Sequence, residues 1–194
     1  MMKELVFFLE EESARALLEH LFPNLIPVGS QIHPRFIVFE GKQDLEKQLS
    51  RRIRGYLNPH ARFIVMRDQD NGDCKKIKES LSNLCAGAHR SRIKVRIACR
   101  ELESFYLGDL RAVESGLGIP GLATRQDKAK FRDPDQLLSP ARELEKLTGN
   151  RYQKVGGSRA IAPHLNLDTP RSRSFRHLIH AVRTAGQKLH AIGD

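Results

Sequence analysis

Two hydrophobic periods alternate along this chain. Leu5 to Leu9 is an unbroken apolar run, and Ser13 is followed by Ala14, Ala16, Leu17, Leu18 and Leu21 at helical spacing. This predicts a strand and then a helix with Ser13 as its N-cap. Pro23, Pro27, Gly29 and Pro34 punctuate a loop. A second strand is predicted over Arg35 to Glu40 and a helix from Gln43 to Tyr56, with apolar positions at 45, 49, 53, 56 and 57. Asn58-Pro59-His60 ends that helix. Arg62 to Arg67 is the third strand, residues 74 to 88 the third helix, and the alternating run Ile93 to Cys99 the fourth strand. Leu102, Phe105, Tyr106, Leu107 and Leu110 mark a helix after it. Strands separated by helices predict an α/β fold with a four-stranded, mainly parallel sheet flanked by helices.

The pattern changes after residue 112. Residues 115 to 140 hold Gly116, Gly118, Pro120, Gly121, Pro134 and Pro140 among charges, which predicts a long loop with little structure of its own. Pro140 to Leu147 reads as a short helix with Ser139 as its cap. Gly156-Gly157-Ser158 leads into Arg159 to Pro163, and a final helix is predicted over Ser174 to Leu189. The expected organisation is an α/β core over residues 1–112, with a loop-rich, helical extension over 113–194 packed on it. There is no internal repeat and no low-complexity tract.

Composition narrows the classes. A chain of 194 residues with 40% hydrophobic and 29% charged residues suits one globular core, and no apolar run approaches the roughly 18 residues that a membrane span needs. The apolar stretch near the start is too short for a signal sequence, so a cytoplasmic protein is expected. Cys74, Cys85 and Cys99 lack metal-ligand spacing and read as core thiols. Thirty-three basic against 23 acidic residues give a net charge of +10, which points to a polyanionic partner, most often nucleic acid. From 151 onward eight Lys or Arg face two Asp, whereas 101 to 150 is net acidic. The extension is therefore expected to be basic at its end.

The chemistry-bearing residues stand where the predicted strands stop. Glu10, with Glu11 and Glu12, follows the first strand; Asp68 and Asp70 follow the third; Glu101 and Glu103 follow the fourth. Side chains at i and i+2 of a strand share a face, so Asp68 and Asp70 are expected to aim at one point. Sites of parallel α/β sheets lie beyond the carboxyl ends of the strands, and hard oxygen donors gathered there favour Mg²⁺ or Mn²⁺. The bland alternatives are acids at a helix start, a solvated turn, and ion pairs with Arg100 or nearby lysines. Asp73 reads as the N-cap of the following helix. A calcium-loop register fails, because Gly72 falls where a ligand is needed and Asp73 where the glycine belongs.

An acid after a first strand and an Asp-x-Asp after a third resemble the layout of the TOPRIM domain of topoisomerases, bacterial primases and OLD-type nucleases. Phe8-Leu9-Glu10-Glu11, Phe39-Glu40-Gly41-Lys42, Arg67-Asp68-Gln69-Asp70 and Cys99-Arg100-Glu101-Leu102-Glu103-Ser104-Phe105-Tyr106-Leu107-Gly108-Asp109 together resemble a TOPRIM-like bacterial family of unknown function, domain of unknown function 4276. The resemblance extends into the tail at Lys154, Ser158 to Ala162 and Ser174-Phe175-Arg176. It implies a Rossmann-like TOPRIM core in which Glu10 is the strand-one acid, Asp68 and Asp70 hold Mg²⁺, and Glu101 or Glu103 completes a second metal site. Glu11 stands where a glycine is usual, which leaves the first-strand ligand open between Glu10 and Glu11. Glu40-Gly41-Lys42 follows the second strand and is a decoy of the TOPRIM Glu-Gly-Lys signature.

The function expected on this reading is Mg²⁺-dependent hydrolysis or nicking of nucleic acid, more often DNA, by a nuclease subunit. An SMC-like AAA ATPase is its expected partner, in bacterial defence or DNA maintenance. Lys42 is a candidate for transition-state charge or water activation. Lys154, Arg159, Arg171, Arg173 and Arg176 are candidate contacts to phosphates, and Ser158 either orients a phosphate or water or caps a turn. The competing class is a non-catalytic module that binds nucleic acid or docks on the ATPase. RNA processing is a third reading that rests on charge alone.

Overall fold

The computed structural model describes residues 2–90 and 92–192, and at its centre four parallel strands lie in the order β2-β1-β3-β4. The strands are β1 (Lys3–Leu9), β2 (Ile32–Val38), β3 (Arg62–Asp68) and β4 (Ile93–Ala98). Helices α1 (Glu12–Leu25), α2 (Lys42–Arg54) and α3 (Cys74–Ala86) connect them, so the expected α/β fold is present and every strand pairing is parallel. β1 and β3 are central and covered on both faces, which is why their sequences read as continuous apolar runs rather than alternations. β2 lies at an edge, where Pro34, expected in a loop, is accommodated inside a strand.

The two-residue period of the strands sorts the core into two layers. Leu5, Phe7, Leu9, Ile64 and Met66 pack with α1 and with the C-terminal helix α8 (Arg173–His190). Val6, Phe8, Phe63, Val65, Val95 and Ile97 pack with α2 and α3. This sorting continues to the strand ends, so Arg67 faces the α2 side and Asp68 the α1 side. Burial pushes the Cys85 and Cys99 thiols up to about 11, which keeps both protonated at neutral pH; Cys85 lies in the core beside α2 and α3, whereas Cys99 is half-buried just beyond β4.

The rest of the chain comprises α4 (Glu103–Leu107), α5 (Leu110–Leu117), α6 (Pro140–Leu147), α7 (Lys154–Ile161) and α8. α8 packs against all four strands, and the larger hydrophobic cluster runs from Leu5 to Leu189. The segments before and after residue 112 therefore share one core.

Several local expectations are corrected. α1 starts at Glu12 with Glu11 in the cap position, and Ser13 lies inside it, its hydroxyl hydrogen-bonded to the Glu11 carboxylate. α1 also runs through Pro23 to Leu25, because Phe22 and Leu25 are buried and packing outweighs the lost backbone hydrogen bond. The helix expected through Leu110 is split at Gly108, with Asp109 capping α5 through the Ala112 N–H at 3.1 Å. The supposed loop over 115–140 contains the end of α5 and three short 3-10 turns, anchored by buried Ile119, Leu122, Phe131 and Asp135. Asp135 accepts hydrogen bonds from the Ser172 hydroxyl at 2.6 Å and the Ser174 N–H at 2.8 Å, which ties this segment to the start of α8.

Helix α7 was not foreseen, since its Gly156-Gly157 pair reads as a breaker. One of these glycines has a packing reason: a Cβ at Gly157 would fall 2.3 Å from the Tyr152 ring. Where α5 crosses α7, a Cβ at Gly116 would lie 2.5 Å from the Ala160 carbonyl oxygen. Gly116→Ala is therefore expected to destabilise the protein by about 1–3 kcal/mol in urea unfolding. Gly156→Ala, where the nearest heavy atom is 4.0 Å away, is expected to stabilise it by about 0.5 kcal/mol.

Candidate functional site

β1 and β3 are neighbours, so their carboxyl ends deliver Glu10 and Asp68 side by side. The Asp68 N–H donates to Glu10 Oε2 at 3.0 Å, and the Glu10 N–H donates to the Met66 carbonyl at 3.3 Å. From this point the charged groups divide between the two faces of the sheet.

On the α2 face stands Arg67, only 6% exposed. Its guanidinium lies 2.6 Å from Glu46, 3.9 Å from Glu10 and 3.7 Å from Asp70, and its Nε donates to the Asp68 carbonyl at 2.9 Å. Lys42, the first residue of α2, donates to Asp70 Oδ2 at 2.8 Å. Asp70 has φ 54° and Arg100 φ 62°, both left-handed, and the Asp70 N–H donates to the Arg100 carbonyl at 2.7 Å. Left-handed backbone at a residue with a Cβ costs roughly 1–2 kcal/mol, so the two loops beyond β3 and β4 are held together against local preference.

On the α1 face the groups are more deeply buried. Asp68 is 9% exposed and is hydrogen-bonded by the Leu102 backbone. Glu103 is fully buried: one oxygen accepts from the Tyr152 hydroxyl at 2.9 Å, and Oε2 has no hydrogen-bond partner. Lys154 Nζ lies 3.1 Å from Glu11 Oε2. The Tyr106 hydroxyl donates to Ser158 Oγ at 2.7 Å beneath them.

Electrostatics follow from this burial. Desolvation, then the charges of Glu11, Glu103 and Glu10, holds the Asp68 carboxyl well above the usual range. Desolvation also raises Glu103, against the pull of Lys154. Glu10 is raised by burial, partly offset by the Asp68 N–H and Arg67. Burial works against the Lys154 ammonium, but Glu11 and Glu103 outweigh it and raise its pKa.

The carboxylates of Glu11, Asp68 and Glu103 are thus a set of crowded hard oxygen donors with one oxygen unsatisfied, a chemistry that suits a divalent cation. As the side chains stand, no three His, Cys, Asp or Glu among the described residues are arranged to grip a metal ion, and Lys154 supplies the local positive charge.

A family model, domain of unknown function (DUF4276), matches residues 9–183. The chain belongs to the DUF4276 family. No curated protein and no solved structure matches it. In this DUF4276 chain the matched span includes every charged residue of both half-sites.

The expected site residues are distributed unevenly. Glu10, Glu11, Asp68 and Glu103 meet at the sheet edge. Asp70 does not share a point with Asp68: β3 ends at Asp68, the left-handed Asp70 breaks the alternation, and its carboxylate turns to Lys42 and Arg67. Glu101 accepts from the Ala141 N–H at 2.7 Å and so serves the start of α6. Of the residues expected to touch phosphates, Lys154 lies among the acids and Ser158 is buried under Tyr106. Arg171 pairs with Asp127 and Arg173 with Asp133, while Arg159 and Arg176 are exposed. Asp73 does cap α3, accepting from the Lys75 and Lys76 N–H groups.

Sequence reasoning missed Arg67, Glu46 and Tyr152. The available signal for Arg67 was a lone cation ending the run Phe63-Ile64-Val65-Met66.

Two measurements test these energetics. The folded pKa of Asp68 lies above its unfolded value near 4, so ionisation costs the folded state stability as pH rises from about 4 through the folded pKa, and nothing below it. In chelator, Asp68→Asn is expected to be more stable than the parent at pH 7.5 by at least about 1 kcal/mol, with the difference vanishing near pH 4 in urea titrations. Arg67→Met is expected to lose about 3 kcal/mol at pH 7.5, because Glu10 and the Asp68 carbonyl lose their buried cation.

Proposed function

We propose that this chain is a TOPRIM-like, Mg²⁺- or Mn²⁺-dependent nuclease or nicking subunit acting on nucleic acid, with an SMC-like AAA ATPase as its partner. The observation that carries this reading is the set of crowded, buried carboxylates at the carboxyl edge of a parallel sheet, in a protein whose net charge is +10. Such a set is unfavourable without a cation, and a metal bound there also lets an anionic phosphodiester approach acids.

Asp68 and Glu11, joined by Glu10 or Glu103, would hold the metal. When bound, it supplies Lewis-acid polarisation of a phosphate oxygen and a more acidic water. The protein supplies orientation and charge. Arg67 keeps Glu10 and Asp70 in place from behind, and the Asp68 N–H fixes the Glu10 carboxylate. Lys42, about half exposed beside Asp70, presents a cation at the rim where negative charge develops on phosphoryl oxygens. Lys154, also half exposed, is able to leave Glu11 for a phosphate.

One observation favours a second reading, a non-catalytic binding or docking module: Lys154 already compensates the acids without a metal. Nicking of supercoiled plasmid and cleavage of RNA, with Mg²⁺ or Mn²⁺, with and without the ATPase, separates the two. Activity is expected to require metal and to fall at least about 10²-fold in Asp68→Asn combined with Asp70→Asn. Cleavage that survives both substitutions sinks the catalytic reading. Mg²⁺ is also expected to raise the melting temperature of the parent and not that of Asp68→Asn.

A further inference from the structure

β4 is an edge strand, and the space along it is lined on both sides by cations. Three adjoining depressions of about 490, 250 and 350 Å³ lie between β4, α3 and α8, and all three share Arg96. Lys75 and Lys78 of α3, Lys94 and Arg96 of β4, and Arg173 and Lys188 of α8 line them, together with Arg100 at the upper end. The one carboxylate that the described residues place in this lining is Asp135, which is buried and engaged by Ser172 and Ser174. Among the described residues, Lys75, Lys78, Lys94 and Lys188 are in no ion pair, unlike Lys42, Arg67 and Lys154 at the acids.

The groove is built rather than accidental. Arg96 is pinned across it, its Nε donating to the His177 carbonyl of α8 at 3.0 Å and its Nη1 to the Val95 carbonyl at 2.8 Å. His177, in the same lining, has its pKa lowered by burial and then by the neighbouring cations Arg96, Lys78, Arg176 and Arg173. At about 3.3 Å per residue the six residues of β4 span roughly 20 Å, or about six phosphates of one strand at 3.4 Å axial spacing. The upper end reaches Gln69 and Arg100, and Arg100 is bonded through its backbone to both Gln69 and Asp70. The groove therefore leads to the acid-bearing loop.

We infer that the groove along β4, between α3 and α8, binds the sugar-phosphate backbone of a nucleic acid and tracks it towards the carboxyl edge of the sheet. Contacts there are to phosphates, so recognition is independent of base sequence and sensitive to salt. That the bound strand is the substrate rests on the nuclease reading above; that a strand binds here does not.

The test measures binding without metal. Fluorescence anisotropy in EDTA, with labelled duplex and single-stranded oligonucleotides of about 20 nucleotides, compares the full-length protein with two charge-matched triple variants. One is Lys78→Glu, Lys94→Glu and Lys188→Glu in the groove, all exposed positions; the other is Arg51→Glu, Arg52→Glu and Arg142→Glu, outside its lining. The groove variant is expected to lose at least 10-fold in affinity and about two units of salt slope, and the control less than 3-fold. Equal losses in both variants, or none in either, overturn the assignment. So does a groove variant that loses binding to phosphatidylserine vesicles while keeping its affinity for oligonucleotides. A protein that binds through the groove but never nicks leaves this assignment standing and removes only the nuclease reading.

Discussion

Burial of β1 and β3 on both faces is the constraint on which the remaining structure depends. Two adjacent parallel strands with no exposed face cannot slip in register without moving whole sets of side chains between the two core layers. Their carboxyl ends are therefore held in place, and with them Glu10, Glu11, Asp68 and the loop to Asp70. The acids are not free to separate, so the protein must meet their mutual repulsion locally.

It does so in two ways, one on each side of the sheet. On the α2 side Arg67 is a buried hub whose guanidinium reaches Glu46, Glu10 and Asp70. On the α1 side Asp68 and Glu103 have raised proton affinity, and Lys154 is drawn in from α7. The first arrangement is a closed ion-pair network. The second leaves Glu103 Oε2 unpaired and keeps its cation at the half-exposed end of a lysine. It is the half with capacity left for a ligand.

The C-terminal half matters to this site because it is inside the same core. α8 covers the sheet beside β4 and supplies one wall of the basic groove. α7 brings Lys154 and Ser158, and the segment before it brings Tyr152. The negative pocket thus lies at the carboxyl end of a single hydrophobic unit and the positive groove runs along β4 towards it, with the Asp70 and Arg100 turns between them.

Local pattern alone determined the four strands, the helices α1, α2, α3, α6 and α8 to within a few residues, and the gathering of acids beyond the strand ends. Apolar periodicity and the parallel-sheet rule act over short stretches of chain, so they are visible in sequence. Which acids share a pocket was decided by tertiary structure. The left-handed turn at Asp70 sends its carboxylate to Lys42, and the start of α6 claims Glu101, whereas Glu103 is buried beside Asp68. Helix α7 was hidden for a related reason: Gly157 makes room for the Tyr152 ring, and Gly116 of the distant α5 lets the α7 backbone approach at Ala160, contacts that no local period announces. The partners of Arg67, Glu103 and Lys154 are likewise set by packing across 21, 49 and 143 positions of sequence, where no local period carries a signal.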